Sequence, residues 1–285
     1  MDALARGAEL QQQGKHHEAL PFLEQAVKDN PSSCEGWTRL SEALLENGKN
    51  DDAAAAIDQA LSKNQHDAAA WLVKAHILEM EDRPEQAIDA YDDAIQSDPN
   101  FVDAYLQKAL ILDNQHRQQE ALAALDQALR IDSTAMEVLF HKARILCQEE
   151  VYLQALPIAD RLTRLYPNEG AGWRIKALAL FRIKEHVEAE QAVNRALEID
   201  SNDGDVLMLK AGIVESMGRK GEARALVKRA TQVDPHNELA QEVRGEMRQE
   251  TTSKVAHASF SIVGALIEGF FAALVEFIKA IFRSY

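Results

Sequence analysis

Nine histidines, two cysteines and 46 carboxylates against 31 basic side chains are the groups here with chemistry to offer. They could ligate a metal, attack as a thiolate or move protons. His16 and His17 read as half of a metal site, but no partner stands at ligand spacing, and a closed site needs about four ligands. His66, His76, His116, His141, His186 and His236 are scattered along the chain. Paired acids such as Asp51-Asp52 and Asp92-Asp93 suit helix beginnings and exposed faces. There is no glycine-rich phosphate loop, no nucleophile elbow and no His-Glu-x-x-His motif. The expectation is a protein without catalytic residues, metal or cofactor.

The elements that hold these side chains repeat. Residues 68–101 read as two short amphipathic helices joined by a polar turn at 81–84 and closed by Asp98-Pro99. Stepping by 34 from Trp71 gives Ala3, Trp37, Tyr105, Leu139, Trp173 and Leu207, large and apolar after the first. The same step from Ala75 gives Gly7, Ser41, Ala109, Ala143, Ala177 and Ala211, all small. A third column is alanine throughout: Ala19, Ala53, Ala87, Ala121, Ala155, Ala189 and Ala223. A fourth, through Ala94, breaks only at Leu162, and a last one holds Pro31, Pro99, Pro167 and Pro235 alternating with Gln65, Ser133 and Ser201. Small residues suit places where two helices cross closely, large ones fill the gap to the next pair, and each unit ends at a helix stop. No unit buries both its apolar faces alone, so the copies must stack.

The 34-residue period and the W…(G/A)…L…A…(Y/L)…A…P pattern resemble tetratricopeptide repeats. The resemblance implies an all-α, right-handed superhelical solenoid of antiparallel helix pairs that binds peptides or partner proteins in a concave groove. Seven repeats fall at 1–33, 34–67, 68–101, 102–135, 136–169, 170–203 and 204–235, followed by a polar capping helix over 236–250 and a linker over 251–259. A formal charge of −15 argues against general affinity for nucleic acid and against the repeats lying on an anionic membrane. Cys34 and Cys147 lie three repeats apart, too far to bridge in a solenoid, so reduced thiols in a cytoplasmic setting are expected. The first ten residues carry neither a basic start nor an apolar run, so no secretory signal is expected.

Within the resemblance, with Trp71 as the fourth position, the second, fifth, ninth and twelfth positions of each first helix face the groove. These are Glu35, Thr38, Glu42 and Leu45 in repeat two, then Ala69, Leu72, His76 and Glu79, then Asp103, Leu106, Leu110 and Asp113. Next come Glu137, Phe140, Arg144 and Cys147, then Ala171, Arg174, Leu178 and Phe181, then Asp205, Met208, Gly212 and Glu215. Members that grip a chaperone's terminal carboxylate carry Lys at the fifth position and Asn at the ninth, a pair absent here. The candidate partner-binding residues are Leu72, His76, Leu106, Leu110, Phe140, Arg144, Arg174, Leu178, Phe181 and Met208, an apolar strip edged by acids early and arginines later.

Residues 260–283 differ from everything before them: a hydrophobic helix with Glu268, Glu276 and Lys279 as its only charges before Arg283. Ser261, Ala265, Glu268, Ala272, Glu276, Lys279 and Arg283 step by three or four, giving one narrow polar seam. Ile262, Leu266, Ile267, Phe270, Phe271, Leu274, Phe277, Ile278 and Phe282 are its docking residues for membrane or another helix. Thirteen Phe, Ile, Leu and Val side chains contribute about −4 to −8 kcal/mol toward insertion, while a central carboxylate opposes by near +3 kcal/mol and the other charge and glycine terms cancel most of the rest. Three destinations follow: spanning the bilayer, lying in its interface, or packing on protein, including the chain's own groove. The expected function is a non-enzymatic scaffold, cytoplasmic and membrane-associated, which holds a protein or peptide in its groove and is tethered by its last helix. The alternative is a soluble homo-oligomeric adaptor assembled through that helix.

Overall fold

The computed structural model describes residues 2–236 and 240–244, which contain fourteen numbered helices and no strand. They are α1 Ala3–Gln12, α2 His16–Asp29, α3 Cys34–Glu46, α4 Asn50–Lys63, α5 Ala68–Met80, α6 Pro84–Ser97 and α7 Val102–Asn114. Then follow α8 Gln118–Ile131, α9 Met136–Gln148, α10 Tyr152–Leu165, α11 Gly170–Arg182, α12 His186–Ile199, α13 Gly204–Ser216 and α14 Lys220–Val233. From α3 on, the first helix of each pair begins every 34 residues, at Cys34, Ala68, Val102, Met136, Gly170 and Gly204. Residues 240–244 are also helical. The linker at 251–259 and the hydrophobic segment 260–283, with all its candidate docking residues, lie outside the described residues.

One backbone device makes every pair antiparallel. The residue two places beyond each first helix has positive φ: Gly14, Gly48, Asp82, His116, Glu150, Lys184 and Gly218. The next N–H returns to a carbonyl five residues back, as in Arg83 to Leu78 at 2.9 Å and Arg117 to Leu112 at 2.8 Å, a Schellman closure that satisfies the helix's last carbonyls. First helices start on side-chain caps where the residue permits: Ser33 accepts from Gly36 N, Asp67 from Ala70 N and Asp203 from Val206 N, each at 3.0 Å.

Second helices all end in one register, including those followed by Gln65, Ser133 and Ser201 instead of proline. Proline is therefore not the common cause of the stop. In five of the junctions an Asn or Asp side chain just past the helix accepts the N–H two residues on: Asn64 from His66, Asp98 from Asn100, Asp132 from Thr134, Asp200 from Asn202 and Asp234 from His236. That local turn competes with helix continuation.

The small columns are the crossing points. All seven alanines from Ala19 to Ala223 are fully buried, as are Ser41, Ala75, Ala109, Ala143, Ala177 and Ala211 opposite them. A Cβ on Gly7 would stand 2.6 Å from Leu23 Cδ2, and Ser41 Oγ donates to Ala53 O at 2.7 Å, so larger residues do not fit. Leu162, the one large residue in its column, is buried against Gly172, where an added Cβ would lie 3.0 Å from Leu162 Cγ.

The chain divides into two compact units, the first holding α1–α8 and the second starting at Met136. In the first, α2, α4 and α6 pack on α3, α5 and α7, and in the second α10 and α12 pack on α11 and α13; first helices also touch first helices: α1 with α3 and α3 with α5, then α9 with α11 and α11 with α13. First helices therefore form an inner face in each unit.

Candidate interaction faces

The first unit's inner face is acidic around half-buried apolar side chains. Leu45, Leu72 and Leu110 are half-buried, beside Glu42, Glu79 and Asp103. Gln11 Nε2 donates to Arg39 O at 3.0 Å and more weakly to Glu42 at 3.4 Å. Burial raises the Glu42 carboxyl above its ordinary value, and Arg39 beside it only partly offsets this. Glu79 accepts from the Tyr91 hydroxyl, yet loss of water still raises its pKa. His76 meets the Tyr91 ring edge-on at 6.0 Å; burial lowers its pKa against the pull of Asp103. At the half-buried Glu42 the charged carboxylate loses part of its hydration, which a nearby cation would offset.

Among the ten candidate partner-binding residues, Leu72, His76, Leu110 and Phe140 are half-buried, while Leu106, Arg144, Arg174, Leu178, Phe181 and Met208 are buried. The two units differ systematically. At the fifth, ninth and twelfth positions of the four first helices of the first unit, only Thr38 and Leu106 are buried. At the same positions of α9, α11 and α13, only Phe140 and Glu215 are not. Exposure falls to 1 % for Cys147 and Met208, 3 % for Arg174, 4 % for Arg144 and 6 % for Leu178 and Phe181. Arg144 donates to Gln148 at 2.7 Å, and Arg174 lies 3.8 Å from Asp205.

A second set of contacts gives the fourth-position column a role beyond gap filling. The indole N–H of Trp37, Trp71 and Trp173 donates to Pro31 O at 3.0 Å, Gln65 O at 2.8 Å and Pro167 O at 2.9 Å. Tyr105 reaches Pro99 O at 3.3 Å and Gln241 reaches Pro235 O at 3.2 Å, in the same register. Each ties the junction carbonyl to the next helix, a role that periodicity of size could not reveal although the polar tip of each side chain hinted at it. Clefts of about 670 and 720 Å³ beside Trp71 and Trp173 are crossed by Lys74–Asp58 at 2.8 Å and Lys176–Asp160 at 2.7 Å. They are seams between repeats already bridged by ion pairs.

Neither thiol is activated. Both cysteines are free; burial, then the hydrogen bond to Asp67, pushes Cys34 up to about 11, and burial pushes Cys147 up to about 12. At neutral pH both are thiols and poor nucleophiles. Among the described residues no three His, Cys, Asp or Glu side chains gather as metal ligands, and no helix is long and apolar enough to cross a membrane.

Family models described as tetratricopeptide repeat match residues 10–77, 68–101, 90–123 and 142–204, and the match at 68–101 coincides with the pair α5–α6. The chain is a tetratricopeptide-repeat protein. No curated protein matches it significantly. Solved structures with the same fold include the C-terminal part of a repeat protein from Cytophaga hutchinsonii, at TM-score 0.68 and 20 % identity, covering 84 % of this chain and 98 % of that one. YrrB, described as a tetratricopeptide-repeat protein with an unusual peptide-binding site, aligns at TM-score 0.58 and 21 % identity over 67 % of this chain and 99 % of its own. A chain of the Cut9–Hcn1 hetero-tetramer of the APC/C aligns at TM-score 0.62 and 18 % identity over 84 % of this chain, which spans 47 % of that longer one. At these identities the likeness is one of fold.

Proposed function

We propose that this tetratricopeptide-repeat protein is a non-enzymatic scaffold whose first unit holds a basic, amphipathic segment of a partner protein. The observation that carries this reading is the inner face itself: half-buried leucines on the same face as the half-buried Glu42 and the exposed Glu79 and Asp103, with the Glu42 carboxyl raised by burial. A helix with apolar residues on one side and Lys or Arg on its flanks would cover the leucines and neutralise the acids. The resemblance to a repeat protein with a peptide site supports the class of function, and the two free thiols support a reducing, cytoplasmic setting. We further propose that residues 260–283 fix where the scaffold resides, at a membrane or in an assembly; their composition supports this.

The test uses a helical peptide of alternating leucine and lysine faces, with glutamate replacing lysine in the control, and fluorescence anisotropy as readout. The lysine peptide binds and the glutamate peptide does not; Glu42→Gln and Glu79→Gln each weaken binding roughly 2- to 5-fold, and salt weakens it further. Equal binding of both peptides, or indifference to both substitutions, refutes the assignment. For residence, the full chain is fractionated beside one ending at Gln249. Pelleting with membranes that is lost on truncation supports the tether, a change in oligomer size on truncation supports the assembly role, and identical behaviour refutes both.

A further inference from the structure

The inner faces of the two units are buried to different depths at equivalent positions. α9, α11 and α13 stack on one another as α1, α3 and α5 do, and α10, α12 and α14 pack on their other sides, as in the first unit. Yet equivalent positions that stay half-open in the first unit are sealed in the second. Side-chain size does not explain the difference, since Leu110 is half-buried and Leu178 in the same register is buried.

We propose that the apolar segment 260–283 of the same chain seats lengthwise on the inner face of α9, α11 and α13. Its length fits: as a helix its 24 residues extend about 36 Å, and three first helices spaced by about 10 Å present roughly 20 Å between outer axes. The path is available, because residues 245–259, fifteen in all, reach up to about 50 Å when extended. The chemistry also matches. The face offers Leu178, Phe181, Met208 and Cys147 around two arginines, Arg144 and Arg174, and the segment brings thirteen large aliphatic and phenyl side chains with two carboxylates, Glu268 and Glu276. A carboxylate approaching a face that carries two buried arginines meets a favourable field. The first unit's inner face, already acidic, would repel those carboxylates, so the segment selects the second. This assignment is independent of what the first unit holds. It makes the second unit's face a shelter for the segment, closed to other ligands while the segment is seated.

Cys147, on this face, is the natural reporter. In the full chain carrying Cys34→Ser, maleimide labelling of Cys147 should be slow, and the triple substitution Ile267→Asp, Phe271→Asp and Leu274→Asp should speed it at least tenfold with far-UV circular dichroism unchanged. A chain ending at Gln249 should label as fast as the triple variant. Because all three substitutions lie beyond the repeats, a folding defect in the repeats is not expected, and the dichroism spectrum checks it. Unchanged protection of Cys147 in both variants overturns the proposal. So does protection that fades on dilution together with a dimeric mass, which would assign the cover to a second copy. Fast labelling in the purified full chain, slowed only by vesicles of phosphatidylcholine and phosphatidylserine, would likewise overturn it in favour of a lipid-seated segment.

Discussion

The pair Leu162 and Gly172 offers the sharpest test of how these repeats pack. Leu162 is the only large residue in a column of alanines, and it is 2 % exposed. Gly172 opposite it has no side chain; an added Cβ would stand 3.0 Å from Leu162 Cγ and 3.1 Å from Cδ2, well inside the ordinary contact distance of about 3.5–4.0 Å. Gly172→Ala should therefore introduce overpacking of about 1–3 kcal/mol, offset by up to about 1 kcal/mol of helix propensity, for a net loss near 1 kcal/mol. Leu162→Ala removes a buried side chain and should lose about 3 kcal/mol. In the double variant the clash disappears and the new methyl fills part of the vacated space. The double should then be more stable than the sum of the singles predicts by about 1–2 kcal/mol, a coupling that two independent sites would not show. Gly170→Ala is the control: its Cβ would meet Ile199 at 3.7 Å, an ordinary contact, and it should show no coupling to Leu162→Ala. Urea unfolding followed by circular dichroism at constant m-value reads all of these in full-length protein. Coupling below about 0.5 kcal/mol would mean that Leu162 and Gly172 are not a compensating pair, and the account of the exception in the alanine column would fail.

Two further predictions concern the turns and the pH dependence. Lys184 and Glu150 hold positive φ at the Schellman position without the local hydrogen bonding that eases Asp into it, so Lys184→Gly should stabilise by roughly 0.5–1 kcal/mol, more than Asp82→Gly, while Gly48→Ala should lose about 1 kcal/mol; urea midpoints decide the order. His141 is buried neutral, with burial first and Arg144 second pushing its pKa from 6.5 to about 3. A histidine with a depressed folded pKa contributes stability that is full above pH 6.5 and is lost as pH falls toward 3, because only the unfolded chain takes up the proton. Between pH 6.5 and 5 this amounts to about 2 kcal/mol, and His141→Gln should flatten that part of a stability-versus-pH curve. Glu42 and Glu79, whose pKa values are raised, act in the opposite sense: their contribution grows as pH falls and is lost as pH rises through their folded values, so Glu79→Gln should steepen the acid loss.

Sequence periodicity carried the architecture because the constraint is steric and acts at one register per helix crossing. Where a Cβ is the most that fits, as at Ala87 or Ala155, every repeat must obey, and the columns become visible. Proline was less informative: helices that end before Gln65 and Ser201 stop where those before Pro99 do, and the Asx turn that five of the junctions share involves Asn or Asp, common residues that draw no notice singly. The turn signal was equally diffuse, since four of the seven positive-φ sites are not glycine. Face assignments were legible only as register. That Leu178 lies on the inner face follows from counting, but the depth of its burial does not: Leu110, in the same register, is half-buried.

The contrast between the two inner faces follows from what each set of side chains can tolerate. Glu42 and Glu79 keep charge at a face that remains partly open, where water and a cationic ligand compete on comparable terms. Arg144 and Arg174, at 4 % and 3 % exposure, have little water left, so the face around them is stable only while hydrogen-bonding groups and apolar mass stay in place. An exchangeable ligand suits the first arrangement and a constant companion the second. A free ligand must bring its own concentration to such a sealed face, whereas a segment tethered by a short linker acts at an effective concentration of order millimolar whatever the protein's dilution. Equal occupancy of the second face at nanomolar and micromolar protein is thus the behaviour that separates a companion on the same chain from one supplied by another molecule.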